Sequence, residues 1–173
     1  MPQRTLDPTG GVLIRPAVAT DMPRLGRLGA LLVESHHELD ARRFLPARDR
    51  TPADYAAFLV RQLDDPDVVL LVADDRGDVI GYAYGAVEGY DYMALRGPAG
   101  VLHDIIVEPD RRRHGIGRQL LDAALAALAA RGAPRVVLST AAANAQAQRL
   151  YASVGFRPTM IEMTRETDPH DHE

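Results

Sequence analysis

The sequence contains no cysteine. That removes disulfides, thiolate metal sites and a cysteine nucleophile together. Lysine is missing too, since all 20 basic residues are arginine; neither a Schiff-base lysine nor the lysine of a phosphate-binding P-loop is available. No run approaches the roughly 18 apolar residues of a membrane helix, and Met1–Gly10 has no apolar h-region. The expectation is a soluble, cytoplasmic protein with no membrane partner. A net charge of −4, from 24 acidic and 20 basic residues, provides no broad positive field and weighs against nucleic acid as a partner.

What is there reads as one globular domain: 173 residues, 46% hydrophobic and 25% charged, with no repeat and no linker. The expected limits are an N-terminal extension over 1–11, one domain over 12–164, and a fraying acidic tail over 165–173. Val12–Arg15 reads as a strand. Thr20 or Asp21 caps a helix with Leu25, Leu28 and Leu32 at helical spacing. Thr51-Pro52 starts a second helix, with Tyr55, Leu59 and Leu63 on one face. Val68–Ala73 and Val79–Val87 form a hairpin about Asp74-Asp75-Arg76-Gly77. Val101–Val107 is a further strand, Gly115–Arg131 a long helix closed by Gly132 and Pro134, Arg135–Ser139 a strand, Asn144–Val154 a helix and Phe156–Thr164 a final strand. The order is that of a mixed α/β domain.

The stretch richest in chemistry is Val107-Glu108-Pro109-Asp110-Arg111-Arg112-Arg113-His114-Gly115-Ile116-Gly117-Arg118. A strand ends, cations follow, and a helix begins on two glycines. The first turn of a helix leaves N–H groups without internal partners and carries about half a positive charge. Glycine lets a ligand approach that backbone closely. The pattern suits phosphate oxygens, although a tight turn beside a solvated arginine run would look much the same. The dinucleotide fingerprint G-x-G-x-x-G fails, because position 120 is Leu.

Val107-x-Pro109-Asp110-x-Arg112-x-x-Gly115-Ile116-Gly117-x-x-Leu120-Leu121 resembles the acetyl-CoA signature of the GCN5-related N-acetyltransferase (GNAT) superfamily. Asn144-x-x-Ala147-x-x-Leu150-Tyr151-x-x-x-Gly155-Phe156 resembles that family's later motif, at the family's spacing. The resemblance implies a mixed, mostly antiparallel central sheet flanked by helices, with a splayed pair of parallel strands holding acetyl-CoA as co-substrate. It implies that backbone groups of Ile105, Ile106 and Val107 hold the pantetheine arm. It also implies that Arg112, Arg113, His114, Gly115, Ile116, Gly117 and Arg118 hold the pyrophosphate, that Asn144 contacts the cofactor arm, and that Tyr151 lies near the thioester sulfur. The activity implied is direct acetyl transfer to the amine of a small molecule or a peptide.

Such transfer needs a neutral amine. Deprotonating an amine of pKa near 10.4 at pH 7 costs about 4.6 kcal/mol, which a positioned base offsets. His103 falls where many family members carry Glu, and its unperturbed pKa near 6.5 suits proton uptake. Strict alternation places His103 with Val101, Ile105 and Val107, and Asp104, a second candidate, on the opposite face. Tyr151 is the candidate acid for the departing thiolate.

Glu34, His36, His37 and Glu38 are candidates for the acceptor wall. Adjacent histidines on a helix cannot face one ion, so no metal site is expected there; Pro169-His170-Asp171-His172-Glu173 holds chelating groups but reads as tail. Tyr82 and Tyr84 share a strand face and are candidates for a pocket floor, and Tyr90 and Tyr92 for a lid. Only 18 residues, 156–173, follow Gly155, too few for the family's usual closing hairpin. The pocket is therefore either more open or completed by a second subunit in a homodimer. Three alternatives stay open: a CoA sensor without turnover, a longer acyl-CoA donor, and an aminoacyl-tRNA acceptor served by the Arg42–Arg50 patch.

Overall fold

The computed structural model describes residues 11–167. Residues 1–10 of the expected extension and 168–173 of the expected tail lie outside the described residues, as do the histidines at 170 and 172. The chain order is β1 (Leu13–Pro16), α1 (Met22–Leu39), α2 (Thr51–Val60), β2 (Val68–Asp75), β3 (Asp78–Glu88), β4 (Ala99–Val107), α3 (Ile116–Ala130), β5 (Val136–Leu138) and α4 (Ala145–Ser153). The five strands form one sheet in sequence order, antiparallel throughout except for the parallel pair β4–β5.

Both faces of the sheet are covered, so its central strands read as nearly continuous apolar runs. On one face Leu25, Leu28 and Leu59 from α1 and α2 pack on Val72, Tyr82 and Ile106. On the other, Leu120, Leu121 and Leu128 from α3 pack on Val69, Ile80 and Leu102, with Tyr151 of α4 among them. The hairpin between β2 and β3 turns on Arg76 and Gly77, both at positive φ (56° and 100°), and Asp74 accepts the Gly77 N–H at 2.5 Å. Asp21 stands at the cap position of α1 but makes no side-chain cap. Its carboxylate accepts from Val18 N–H and from Arg15, at 2.9 and 2.8 Å, and Arg15 also reaches Asp74 at 2.8 Å.

One irregularity in β4 shapes everything that follows. Tyr84 pairs with Asp104 and Gly85 with Leu102, which leaves His103 as the extra residue of a β-bulge. Alternation breaks there. Asp104 bonds Tyr82 and His103 stacks on Tyr84, and both tyrosines belong to the α1/α2 face. His103 and Asp104 therefore share a face, against the expectation that they oppose each other.

The expected strand over 156–164 is also corrected: residues after Gly155 adopt no regular structure as far as 167. β5 is three residues long, too short a template for a long neighbour. Pro158 interrupts any ladder, and Met160, Ile161 and Met163 remain 79%, 84% and 89% exposed. The segment is tethered by an ion pair between Glu162 and Arg43, in the α1–α2 connection.

Candidate active site

β4 and β5 pair only from Gly100 to Leu102 and from Val136 to Leu138. Beyond that point they diverge, and a cleft of about 870 Å³ opens between them. Ile105 and Val107 line one wall, Leu138 and Thr140 the other, with Gly115 and Gly117 at one end and Asn144 and Tyr151 alongside. Parallel strands that separate expose the facing main-chain groups of β4, which a ligand can then engage as a neighbouring strand would.

The end of the cleft is the start of α3. A 3₁₀ turn at Pro109–Arg111 follows β4, then Arg113 and Gly115 take positive φ (65° and 78°), and Gly115 becomes the N-cap. These reversals let the helix begin with its free N–H groups beside the cleft. A Cβ at Gly117 would meet Leu150 at 3.7 Å and Val107 at 3.9 Å, ordinary contacts. The fold itself tolerates a Cβ there, so its own packing does not require glycine at this position.

The cations of the signature divide. Arg112 and Arg113 line the cleft, as does Arg118. The Arg112 guanidinium donates from Nε to the Val107 carbonyl at 3.0 Å, which ties the loop to β4 and takes up a group that the sequence reading gave to the pantetheine arm. Arg118 pairs with Asp122 one turn along α3 at 2.9 Å. His114 is exposed, lies outside the cleft lining and bonds the Arg111 carbonyl. The Ile116 side chain is buried beneath α3, and Ile116 does not line the cleft; Ile106 lines it, although its side chain packs in the core beneath α1 and α2.

Asn144 caps α4, its Oδ1 accepting the Ala147 N–H at 3.1 Å, so its visible task is to fix the helix that carries Tyr151. The Tyr151 ring is buried against Phe156, edge to face at 5.9 Å. Burial raises its pKa above the usual phenol value, keeping the hydroxyl protonated at neutral pH.

A second cavity, of about 410 Å³, lies between α2 and the bulge, lined by Thr51, Asp54, Tyr55, Phe58, Tyr84, His103 and Asp104. Tyr55, His103 and Asp104 belong to both cavities. Asp104 accepts from Tyr82 Oη at 2.9 Å and is also hydrogen-bonded by Tyr55. Its carboxyl pKa lies above the usual range because burial outweighs those hydrogen bonds and the nearby His103 and His36. Burial likewise pushes Tyr55 and Tyr82 up, with the Asp104 charge adding to it. His103 Nε2 bonds Glu88 at 2.7 Å, Glu88 also accepts from Arg96 at 2.9 Å, and the His103 ring stacks on Tyr84 at 5.3 Å.

Of the wall residues read from sequence, His36 and Glu38 line the cleft. The histidine rings bond different carbonyls, His36 that of Leu32 and His37 that of Phe44, each at 2.8 Å. Tyr90 and Tyr92 stack on each other in an exposed loop and line neither cavity.

Residues 33–156 match the model of the Acetyltransferase (GNAT) family. The chain belongs to this family. A mycothiol acetyltransferase of Beutenbergia cavernae is 33% identical over 153 residues, covering 83% of this chain and 49% of that protein; the GNAT chain spans about half the length of this relative. Among solved structures, the tetramutant of the BH1408 protein of Bacillus halodurans superimposes with a TM-score of 0.76 at 22% identity, over 89% of this chain and 99% of that one. An acetyltransferase of Clostridium acetobutylicum solved with acetyl-CoA gives a TM-score of 0.66 at 19% identity, over 88% and 96% of the two chains. These likenesses show the GNAT fold: a mixed, mostly antiparallel sheet with one splayed parallel pair.

Sequence reasoning missed Glu88, which falls just past the end of the expected strand Val79–Val87 and is the last residue of β3, and the part played by Tyr55. Tyr55 sits on the apolar stripe of α2, where spacing marks it only as packing. Nothing in the sequence links Glu88 to His103, fifteen positions away.

Proposed function

We propose that the protein transfers an acetyl group from acetyl-CoA to the amine of a small molecule or a peptide, by direct attack within a ternary complex. The observation that carries this reading is that the long cleft and the second cavity meet at Tyr55, His103 and Asp104. A donor in one and an acceptor in the other would present their reacting atoms at the same three side chains.

The residues fit acetyl-CoA. Free amides at the start of α3 and the open face of Gly117 suit the diphosphate, and the unpaired edge of β4 suits the amides of the pantetheine arm. Bound there, the cofactor supplies an acyl group activated as a thioester. His103, its Nε2–H directed to the Glu88 carboxylate, keeps the lone pair of Nδ1 for a proton; this is the logic of an oriented imidazole base. The bound ammonium first releases one proton to solvent, which frees its lone pair; the neutral nitrogen then attacks, and His103 takes the second proton as the N–C bond forms and the C–S bond breaks. Tyr151 protonates the departing sulfur and is reprotonated through solvent, which takes the proton held by His103. Asp104 holds the acceptor's positive charge, kept rigid by Tyr55 and Tyr82. The products are an amide and free CoA.

Release of free thiol from acetyl-CoA, followed with a panel of amines and peptides, tests the reading. Thiol release that depends on the amine supports it. Tight binding of acetyl-CoA without release for any acceptor would leave a sensor module instead.

A further inference from the structure

The acceptor cavity also restricts the class of amine, an inference that rests on the transfer reading. Asp104 lies where the cavity meets the cleft, and Asp54 stands on α2 with an exposed side chain. Tyr55 and Phe58 project one turn apart from α2, and the Phe58 ring meets Tyr84 edge-on at 5.7 Å. The cavity therefore combines carboxylates with aromatic walls.

Among the described residues that line it there is no arginine. The neighbouring guanidiniums have partners: Arg96 is bound to Glu88 at 2.9 Å, Arg50 lies 3.7 Å from Asp54, and Arg61 lies over the Phe58 ring. The one basic group in the lining, His103, already bonds the Glu88 carboxylate. A carboxylate brought in beside the reacting amine would face Asp54 and Asp104, and among the described residues lining the cavity none is an arginine to receive it. An ammonium on an apolar arm meets the opposite situation, a carboxylate at its head and ring faces along its length.

We infer that the acceptor is a cationic primary amine carried on an alkyl or arylalkyl arm, with no carboxylate beside the amine. Asp104 receives the ammonium at the junction with the cleft, and Tyr55, Phe58 and Tyr84 enclose the arm.

Matched pairs that differ only in that carboxylate, and whose one amine lies beside it, test the inference: 3-methylbutylamine against leucine, and 2-phenylethylamine against phenylalanine. Thiol release from acetyl-CoA is measured with the full chain, and binding of the same four compounds to the CoA-saturated protein by calorimetry. The expected result is a kcat/KM at least tenfold higher, and tighter binding, for the decarboxylated member of both pairs. Equal values, or a preference for the amino acids, overturn the inference while acetyl transfer stands. Selective binding of the two amines without thiol release keeps the inference and removes the transfer reading. Transfer to peptides with none of the four compounds bound or acetylated overturns the inference alone.

Discussion

His103 Nε2 lies 2.7 Å from Glu88 Oε1, across a β-bulge that turns His103 onto the same face as Asp104. A carboxylate partner fixes the ring's orientation and its tautomer, as second partners do for catalytic and metal-bound histidines. Glu88→Gln keeps an acceptor oxygen and removes the charge. The expected outcome is a fall in kcat of about tenfold, below the 10²–10⁴-fold associated with loss of the base itself. A double-mutant cycle checks it: in a His103→Ala background Glu88→Gln should cost nothing further. Additive losses would separate Glu88 from the base.

Gly117→Val should abolish measurable binding of CoA in calorimetry while leaving the thermal midpoint close to that of the parent protein. The protein offers an added Cβ only ordinary contacts, the nearest at 3.7 Å, so the side chain would occupy ligand space instead of clashing with its own fold. Unchanged affinity would refute the diphosphate cradle.

Tyr151→Phe removes one oxygen from a buried ring whose pKa is raised by that burial. Turnover should fall by about 10²-fold, within the range for a lost general acid, with CoA affinity retained because the ring still packs on Phe156. A parental rate would dismiss Tyr151 as the acid.

Asp104→Asn should separate stability from activity. Burial raises the Asp104 pKa despite the hydrogen bonds from Tyr82 and Tyr55 and the proximity of His103 and His36. A carboxyl whose folded pKa exceeds its unfolded value, near 3.9, favours the fold below that value, and the benefit is lost as pH rises through the folded pKa. The substitution should therefore raise the melting temperature by a few degrees at pH 7 and by less at pH 4, while acceptor turnover drops. Melting curves at the two pH values decide it: a variant less stable at pH 7 than at pH 4, relative to the parent, reverses the sign.

Gly29→Ala tests how the site is propped. A Cβ at Gly29 would lie 2.3 Å from Tyr55 Cδ1, so either α2 or the Tyr55 ring must move, and with it a hydrogen bond to Asp104. Overpacking of this kind costs about 1–3 kcal/mol. Denaturant unfolding should show that loss, with acceptor KM rising; a silent substitution would mean that Tyr55 is free to shift without consequence.

Much of this arrangement is legible along the chain. Leu25 and Leu28, Leu120, Leu121 and Leu128 announce their helices by period, and Asp74–Gly77 announces its hairpin by turn chemistry. The glycines and arginines before α3 mark a helix that starts on an anion site, because a helix N-terminus carries its free donors wherever it is placed. The C-terminal apolar residues mislead for an equally local reason. Met160, Ile161 and Met163 have the composition of a strand, but a strand needs a neighbour to pair with, and the pattern of one segment says nothing about its neighbour.

The sequence by itself determined the element order, the GNAT signature and the residue types available for proton transfer, because period, capping and glycine placement act over a few residues. Tertiary structure alone decided which of those residues meet. The bulge at His103, the Glu88 contact and the junction of two cavities at Tyr55 and Asp104 depend on pairing register and helix packing. Those are settled between segments far apart in the chain, where no local pattern reaches.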